Sequence, residues 1–166
     1  MGIFSFAKNV GEKIFQRDEP KPKKEAATPA SEPAQKSEPS AQDIANLLLE
    51  RIQQLGLQID ELKVSYDGDV DKATIEGIAN SQADREKAIL AVGNVQHVES
   101  VEDHIKVEAD EPQSSMYAVV SGDTLSSIAK KEYGDANKYM KIFEANQPML
   151  SDPNKIYPGQ VLRIPA

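Results

Sequence analysis

The sequence predicts an α+β protein built from two small modules in tandem, and the order of its apolar patterns carries that class. Across residues 41–109 the pattern changes period in the order helix, strand, strand, helix, strand. Across residues 116–166 it runs strand, helix, helix, strand, after a short joint at 110–115. A further observation sets both modules apart from the start of the chain. Residues 17–40 hold Pro20, Pro22, Pro29, Pro33 and Pro39 among Ala, Ser, Glu and Lys, with no apolar period. Such a stretch buries too little to offset its ordering entropy, so it reads as a disordered tether.

Each element has a local reason. In residues 1–16, Ile3, Phe4, Ala7, Val10, Ile14 and Phe15 recur at three- and four-residue spacing, which predicts an amphipathic helix. A helix so short is marginal alone and must dock. With two lysines and the acidic Glu12 it suits the protein's own body better than a membrane surface. Ser40-Ala-Gln-Asp43 is a capping box. Ile44, Leu47, Leu48, Ile52 and Leu55 then line one helical face, and Gly56 ends it. Leu62, Val64 and Tyr66 alternate as a half-buried strand, Asp67-Gly68 opens a turn, and Ala73, Ile75 and Gly77 return. Ser81-Gln-Ala-Asp84 caps a second helix that runs to Val92 and stops at Gly93. Val98, Val101, Ile105 and Val107 mark a third strand, with room for a bulge between Val101 and Ile105.

In the second module, Tyr117-Ala-Val-Val-Ser-Gly-Asp-Thr-Leu125 reads as a strand, a turn at Gly122 and a helix capped by Asp123. Leu125, Ile128 and Ala129 form that helix's buried face. Asp135 caps a second helix carrying Tyr139, Ile142 and Phe143, which Asn146-Gln-Pro148 ends. Tyr157-Pro-Gly-Gln160 has the form of a type II turn, and Val161-Leu-Arg-Ile164 closes the module.

Composition narrows the function. The chain of 166 residues has a formal charge of −8, which argues against nucleic acid, since phosphate binding needs clustered Lys and Arg. It has no cysteine, hence no disulfide and no thiolate metal site. Lys8, Asn9, Glu12 and Lys13 interrupt any secretory h-region near the start, and no segment reaches spanning length. The expectation is a cytoplasmic monomer.

Catalytic and divalent-metal patterns fail one by one. Asp67, Asp69 and Asp71 alternate as in an EF-hand loop, but Lys72 stands where that loop needs Gly and Ile78 where it needs Glu. A hydrated hairpin tip accounts for them. His97 and His104 are the only histidines, seven apart and with no compact carboxylate motif. No Ser/His/Asp arrangement or phosphate-cradling glycine loop is present. The chain reads as a binder and not an enzyme.

With its Val92-Gly-Asn-Val95 run followed by Val98, Glu99, Ser100 and Val101, the first module resembles the BON domain. The resemblance implies a small α/β sandwich of αββαβ order that binds and does not catalyse. The second, by its Tyr117–Leu125 and Tyr157–Ile164 stretches, resembles LysM, which implies a βααβ fold and a cleft for N-acetylglucosamine polymers. Positions matching that cleft are Gly122, Asp123, Thr124 and Leu125 with Asn146, Gln147, Pro148 and Ile156. A cytoplasmic protein meets no wall polymer, so glycan is the alternative ligand here.

The whole arrangement resembles the bacterial potassium-binding BON–LysM family. The likeness is strongest at Met1–Lys13, Ile89–Val95 and Ile142–Ile164. It implies K+ held by main-chain carbonyls, with the N-terminal segment closing over the BON domain and the molecule compacting. Carried over by motif, the ligands are the carbonyl oxygens of Ala7, Val10, Gly93, Val95 and Val98. The residues make this physically reasonable. A helix leaves carbonyls unsatisfied at its C-terminus, where the macrodipole is negative. Neutral oxygens suit a large monovalent ion, whereas carboxylates favour calcium or magnesium. The family reading makes the protein a sensor or buffer of potassium, with LysM open to a protein partner.

Overall fold

The computed structural model describes residues 2–6, 39–108 and 111–166. Its elements in chain order are β1 (Gly2–Ser5), α1 (Ala41–Gln54), β2 (Ile59–Asp67), β3 (Lys72–Ala79), α2 (Gln82–Gly93), β4 (Ser100–Val107), β5 (Ser115–Ala118), α3 (Leu125–Tyr133), a 3-10 turn (Ala136–Lys138), α4 (Tyr139–Ala145) and β6 (Val161–Ile164). The α+β class holds, with αββαβ in the first module and βααβ in the second.

Residues 2–5 depart from the expected helix and form a strand instead. Phe4 and Phe6 alternate with Ile3 and Ser5, a period that suits a strand as well as a helix. The deciding factor is β4, which would otherwise end the sheet with unpaired backbone groups. β1 runs antiparallel along it, Gly2 opposite Asp103 and Ser5 opposite Ser100, and the Phe6 amide donates to the Glu99 carbonyl at 2.8 Å. Phe4 and Phe6 pack against the core, while Ile3 faces out, 73% exposed. The rest of the expected helix lies outside the described residues, as does most of the tether.

The first sheet has the order β1-β4-β3-β2. β2 and β3 form the expected hairpin, and β3 and β4 run parallel, joined by the α2 crossover. The β3–β4 register is continuous, so the bulge allowed for between Val101 and Ile105 is absent. A register shift falls in β2 between Asp60 and Lys63. There the Asp60 carbonyl presses on Gly77, where a Cβ would lie 2.9 Å from it. Helices α1 and α2 cover one face, burying Leu48, Ile52, Ile89 and Val92 against Ile75, Val101 and Ile105. Each side chain of that size contributes about 1.5–3 kcal/mol by leaving water.

Both capping serines act as expected: the Asp43 amide donates to Ser40 Oγ and the Asp84 amide to Ser81 Oγ. In the second module the cap of α3 is Thr124, whose Oγ1 accepts the Ser127 amide at 3.1 Å. Asp123, expected in that role, instead braces the preceding turn. Its Oδ2 accepts the Val120 amide and the Tyr117 hydroxyl, each at 3.0 Å. Gly159 has φ 85°, as position three of a type II turn requires, and the Gln160 amide closes the turn on the Tyr157 carbonyl.

The modules meet along α2 and β6. Glu86 is buried on α2 and forms an ion pair with Arg163 of β6. Its Oε1 also accepts the Gln82 side-chain amide at 2.8 Å and the Ser114 backbone amide at 2.7 Å. Burial pushes the Glu86 carboxyl up, but the bonds from Arg163, Gln82 and Ser114 outweigh it and hold it below the ordinary glutamate value.

Candidate functional site

Helix α2 ends differently from the other long helices. Its last six residues, Ala88–Gly93, are all buried, and its final turn holds no basic side chain. The final turn of α1 holds Arg51, and that of α3 holds Lys130 and Lys131. Cations there offset the negative end of a helix macrodipole. At the end of α2 that charge is left to the backbone.

The chain then stays close to the helix end. The Asn94 amide returns to the Leu90 carbonyl at 3.0 Å, Val95 to Val92 at 3.2 Å and Val98 to Val95 at 3.3 Å. His97 lies at φ 74°, in the left-handed region, and so turns the backbone sharply. Its carbonyl oxygen is 2.6 Å from the Tyr66 hydroxyl, which is also 2.6 Å from Asp71 Oδ1. One phenol proton can serve only one of these acceptors at a time. Burial pushes the Tyr66 phenol up, with Asp71 adding to the effect, so it stays protonated at neutral pH.

Gly93 is helical and does not owe its place to a left-handed backbone. The Phe6 ring lies on it: a Cβ at Gly93 would sit 2.0 Å from Phe6 Cζ. The N-terminal strand therefore reaches the loop that begins at Gly93. Of the carbonyl positions carried over by resemblance, Gly93, Val95 and Val98 lie together at this helix end, all buried. Ala7 and Val10 lie outside the described residues. Among the described residues no group of three or more His, Cys, Asp or Glu side chains converges to hold a metal. His104 pairs with Glu102 at 3.1 Å on the open sheet face, and Asp71 is engaged by Tyr66. What the chain presents at the end of α2 is the backbone of the loop that begins at Gly93.

The second module has its own cleft, about 350 Å³, lined by Asp123, Thr124, Leu125, Ser126, Tyr139, Pro153, Asn154 and Ile156. It brings together Asp123, Thr124, Leu125 and Ile156 from the expected glycan set and omits Gly122, Gln147 and Pro148. Asn146 is turned inward, 1% exposed. Its side-chain amide donates to the Ile142 carbonyl at 2.7 Å and the Arg163 carbonyl at 2.8 Å, and its Oδ1 accepts the Arg163 amide at 2.8 Å. An asparagine so committed is structural. Tyr139 and Asn154, which sequence reasoning left out, contribute a ring and an amide to the lining of this cleft. No periodicity in the sequence points to them.

Residues 40–109 match the BON domain model and residues 117–165 the LysM domain model. The chain is 42% identical over 165 residues to the potassium binding protein Kbp of Escherichia coli O6:H1, covering 99% of both chains. Shorter matches include an uncharacterized protein of Deinococcus radiodurans, 43% identical over 36% of this chain and 23% of that protein. An esterase of Mycobacterium tuberculosis is 47% identical over 32% of this chain but only 11% of the esterase, too small a share to carry its activity across. Among the described residues no helix is long and apolar enough to cross a membrane.

Proposed function

This chain belongs to the BON–LysM family of Kbp, and from that premise we propose that it binds a potassium ion at the C-terminal end of α2, as a cytoplasmic sensor or buffer. The observation that carries the reading is the buried end of α2, with no cationic side chain in its last turn and the Phe6 ring packed on Gly93. The helix dipole makes that end negative, and a desolvated monovalent cation is the complementary charge.

The ligands we assign are the carbonyl oxygens of Gly93, Val95 and Val98, joined by those of Ala7 and Val10. Ala7 is the next residue in the chain after Phe6, whose ring lies on Gly93. The Val95 carbonyl already accepts the Val98 amide at 3.3 Å. A carbonyl oxygen has two lone pairs, and the second is available to an ion. Without the ion, facing carbonyl dipoles repel. With it they are bridged, and the N-terminal segment and the domains draw together by mass action.

Calorimetry of the full chain with KCl against NaCl tests this. A saturable heat with potassium and none of comparable affinity with sodium is the expected result; equal or absent heats would overturn it. The alternative is a glycan-binding adaptor, favoured by the LysM cleft with Tyr139 on one wall. It predicts amide shifts at Thr124 and Tyr139 with N-acetylglucosamine oligomers and no response to potassium.

A further inference from the structure

The edge of β6 has an unusual finish. Among the described residues β6 pairs with β5 alone, so its other edge would carry unpaired backbone groups. Two asparagine side chains cover that edge, each bonding both backbone groups of one residue as a neighbouring strand would. Asn146, from within LysM, takes Arg163. Asn94 comes from the BON domain and takes Val161: its side-chain amide donates to the Val161 carbonyl at 3.0 Å, and its Oδ1 accepts the Val161 amide at 3.0 Å. Val161 is 7% exposed, so water competes poorly for these groups.

Asn94 stands between Gly93 and Val95. Its backbone belongs to the loop of carbonyls, and its side chain is held by the other domain. We infer that Asn94 is a positioning residue for the ion site, and that the β6 edge of LysM, gripping it through Val161, helps set the Gly93 and Val95 carbonyls for potassium. The inference rests on the potassium reading above.

The coupling runs both ways by thermodynamic necessity. If the grip on Asn94 favours the ion-competent loop, a bound ion must tighten the grip by the same factor. LysM then has a role at the site without touching the ion, and ion occupancy is passed to the second domain through one side chain. The Glu86–Arg163 pair, on the same helix about 12 Å back along its axis, ties the domains but does not reach the loop.

The test uses the full chain, potassium calorimetry and amide hydrogen exchange. Asn94→Ala should weaken potassium binding by ~5-fold or more, a typical lower bound for coupled sites. Val161→Pro approaches from the LysM side. It deletes the N–H that Asn94 accepts while leaving the ion loop unchanged, and Val161 is the first residue of its strand, a position that tolerates proline. It should weaken binding in the same direction. Potassium should also slow exchange of the Val161 amide in the wild-type protein, and that protection should vanish in Asn94→Ala. A purely structural role for Asn94 would not make Val161 protection depend on the ion. Wild-type affinity in folded Asn94→Ala, or no effect of potassium on Val161 exchange, overturns the inference while leaving the ion site standing. No potassium heat in the wild-type protein overturns the site itself and the inference with it.

Discussion

Helices α2 and α3 each end beside a glycine, yet the two glycines solve different problems. α3 is amphipathic, burying Leu125, Ile128 and Ala129, and Lys130 and Lys131 lie in its last turn. Gly134 follows at φ 73°, a left-handed cap with nothing within 4 Å of where a Cβ would be. α2 is enclosed: the core, the Phe6 ring and the second domain all press on it, and Gly93 is there because a ring occupies the space of its side chain. A glycine at a helix end is a conformational device in one module, as the cap, and a seat for another segment in the other, as the last helical residue. α3 merely stops, whereas the end of α2 is where the N-terminus, the carbonyl loop and LysM converge.

The largest effect expected from breaking this contrast comes from the charge that α2 buries. Arg163→Met would leave Glu86 buried without its cation, at a cost of about 3–5 kcal/mol, read as a lowered midpoint in urea unfolding. The acid behaviour follows. In the native protein the Glu86 carboxyl is held below its ordinary value of 4.5. Its contribution is therefore complete above that value and is lost as pH falls through the lower, folded value. In Arg163→Met burial loses its main opponent, so the carboxyl should titrate higher. A carboxyl titration followed by NMR that shows no upward movement would mean that Gln82 and Ser114, not Arg163, hold the charge.

A smaller effect on stability, with a larger one on function, is expected at the two glycines. Gly93→Ala places a methyl inside the Phe6 ring. The ring is the mobile party, so the helix should survive, at a cost of about 1–3 kcal/mol, while the N-terminal strand loses its seat. Potassium affinity should then fall about tenfold or more if Ala7 and Val10 supply ligands worth at least 1.4 kcal/mol. Gly134→Ala should cost a comparable ~1–2 kcal/mol through left-handed strain and leave potassium binding alone. Equal loss of affinity in both variants would show that general destabilisation is being measured.

These differences also mark what could be read from the sequence. Alternation, capping serines and turn residues are local, so both modules' element orders and the Ser40 and Ser81 caps were legible. The β1 strand was not, because Ile3, Phe4 and Phe6 satisfy either period and the vacant edge of β4, about a hundred residues on, decides between them. Gly93 reads as a stop from its neighbours; only Phe6 reveals its other use. Asn94 gave no signal at all, since its partner Val161 lies 67 residues away. Asn146 was assigned to a glycan by its place in a motif, yet its amide is spent on the backbone of β6.

The smallest effect sharpens the comparison at the other end of α3. Thr124 caps that helix and also lines the LysM cleft. Thr124→Ala removes the hydroxyl that accepts the Ser127 amide, and should cost about 1 kcal/mol in thermal or urea unfolding. The Ser127 hydroxyl, which accepts the Thr124 amide at 2.9 Å, remains as the other half of the box. The loss should stay within LysM, because Thr124 and Ser127 take no part in the bonds between Asn94 and Val161. Potassium affinity unchanged in this variant, beside a sharp fall in Gly93→Ala, would assign the ion to the enclosed helix end and leave the LysM cleft for a ligand of its own. A matching fall in Thr124→Ala would instead tie the cleft to the ion, and the separation of the two helices' roles would have to be given up.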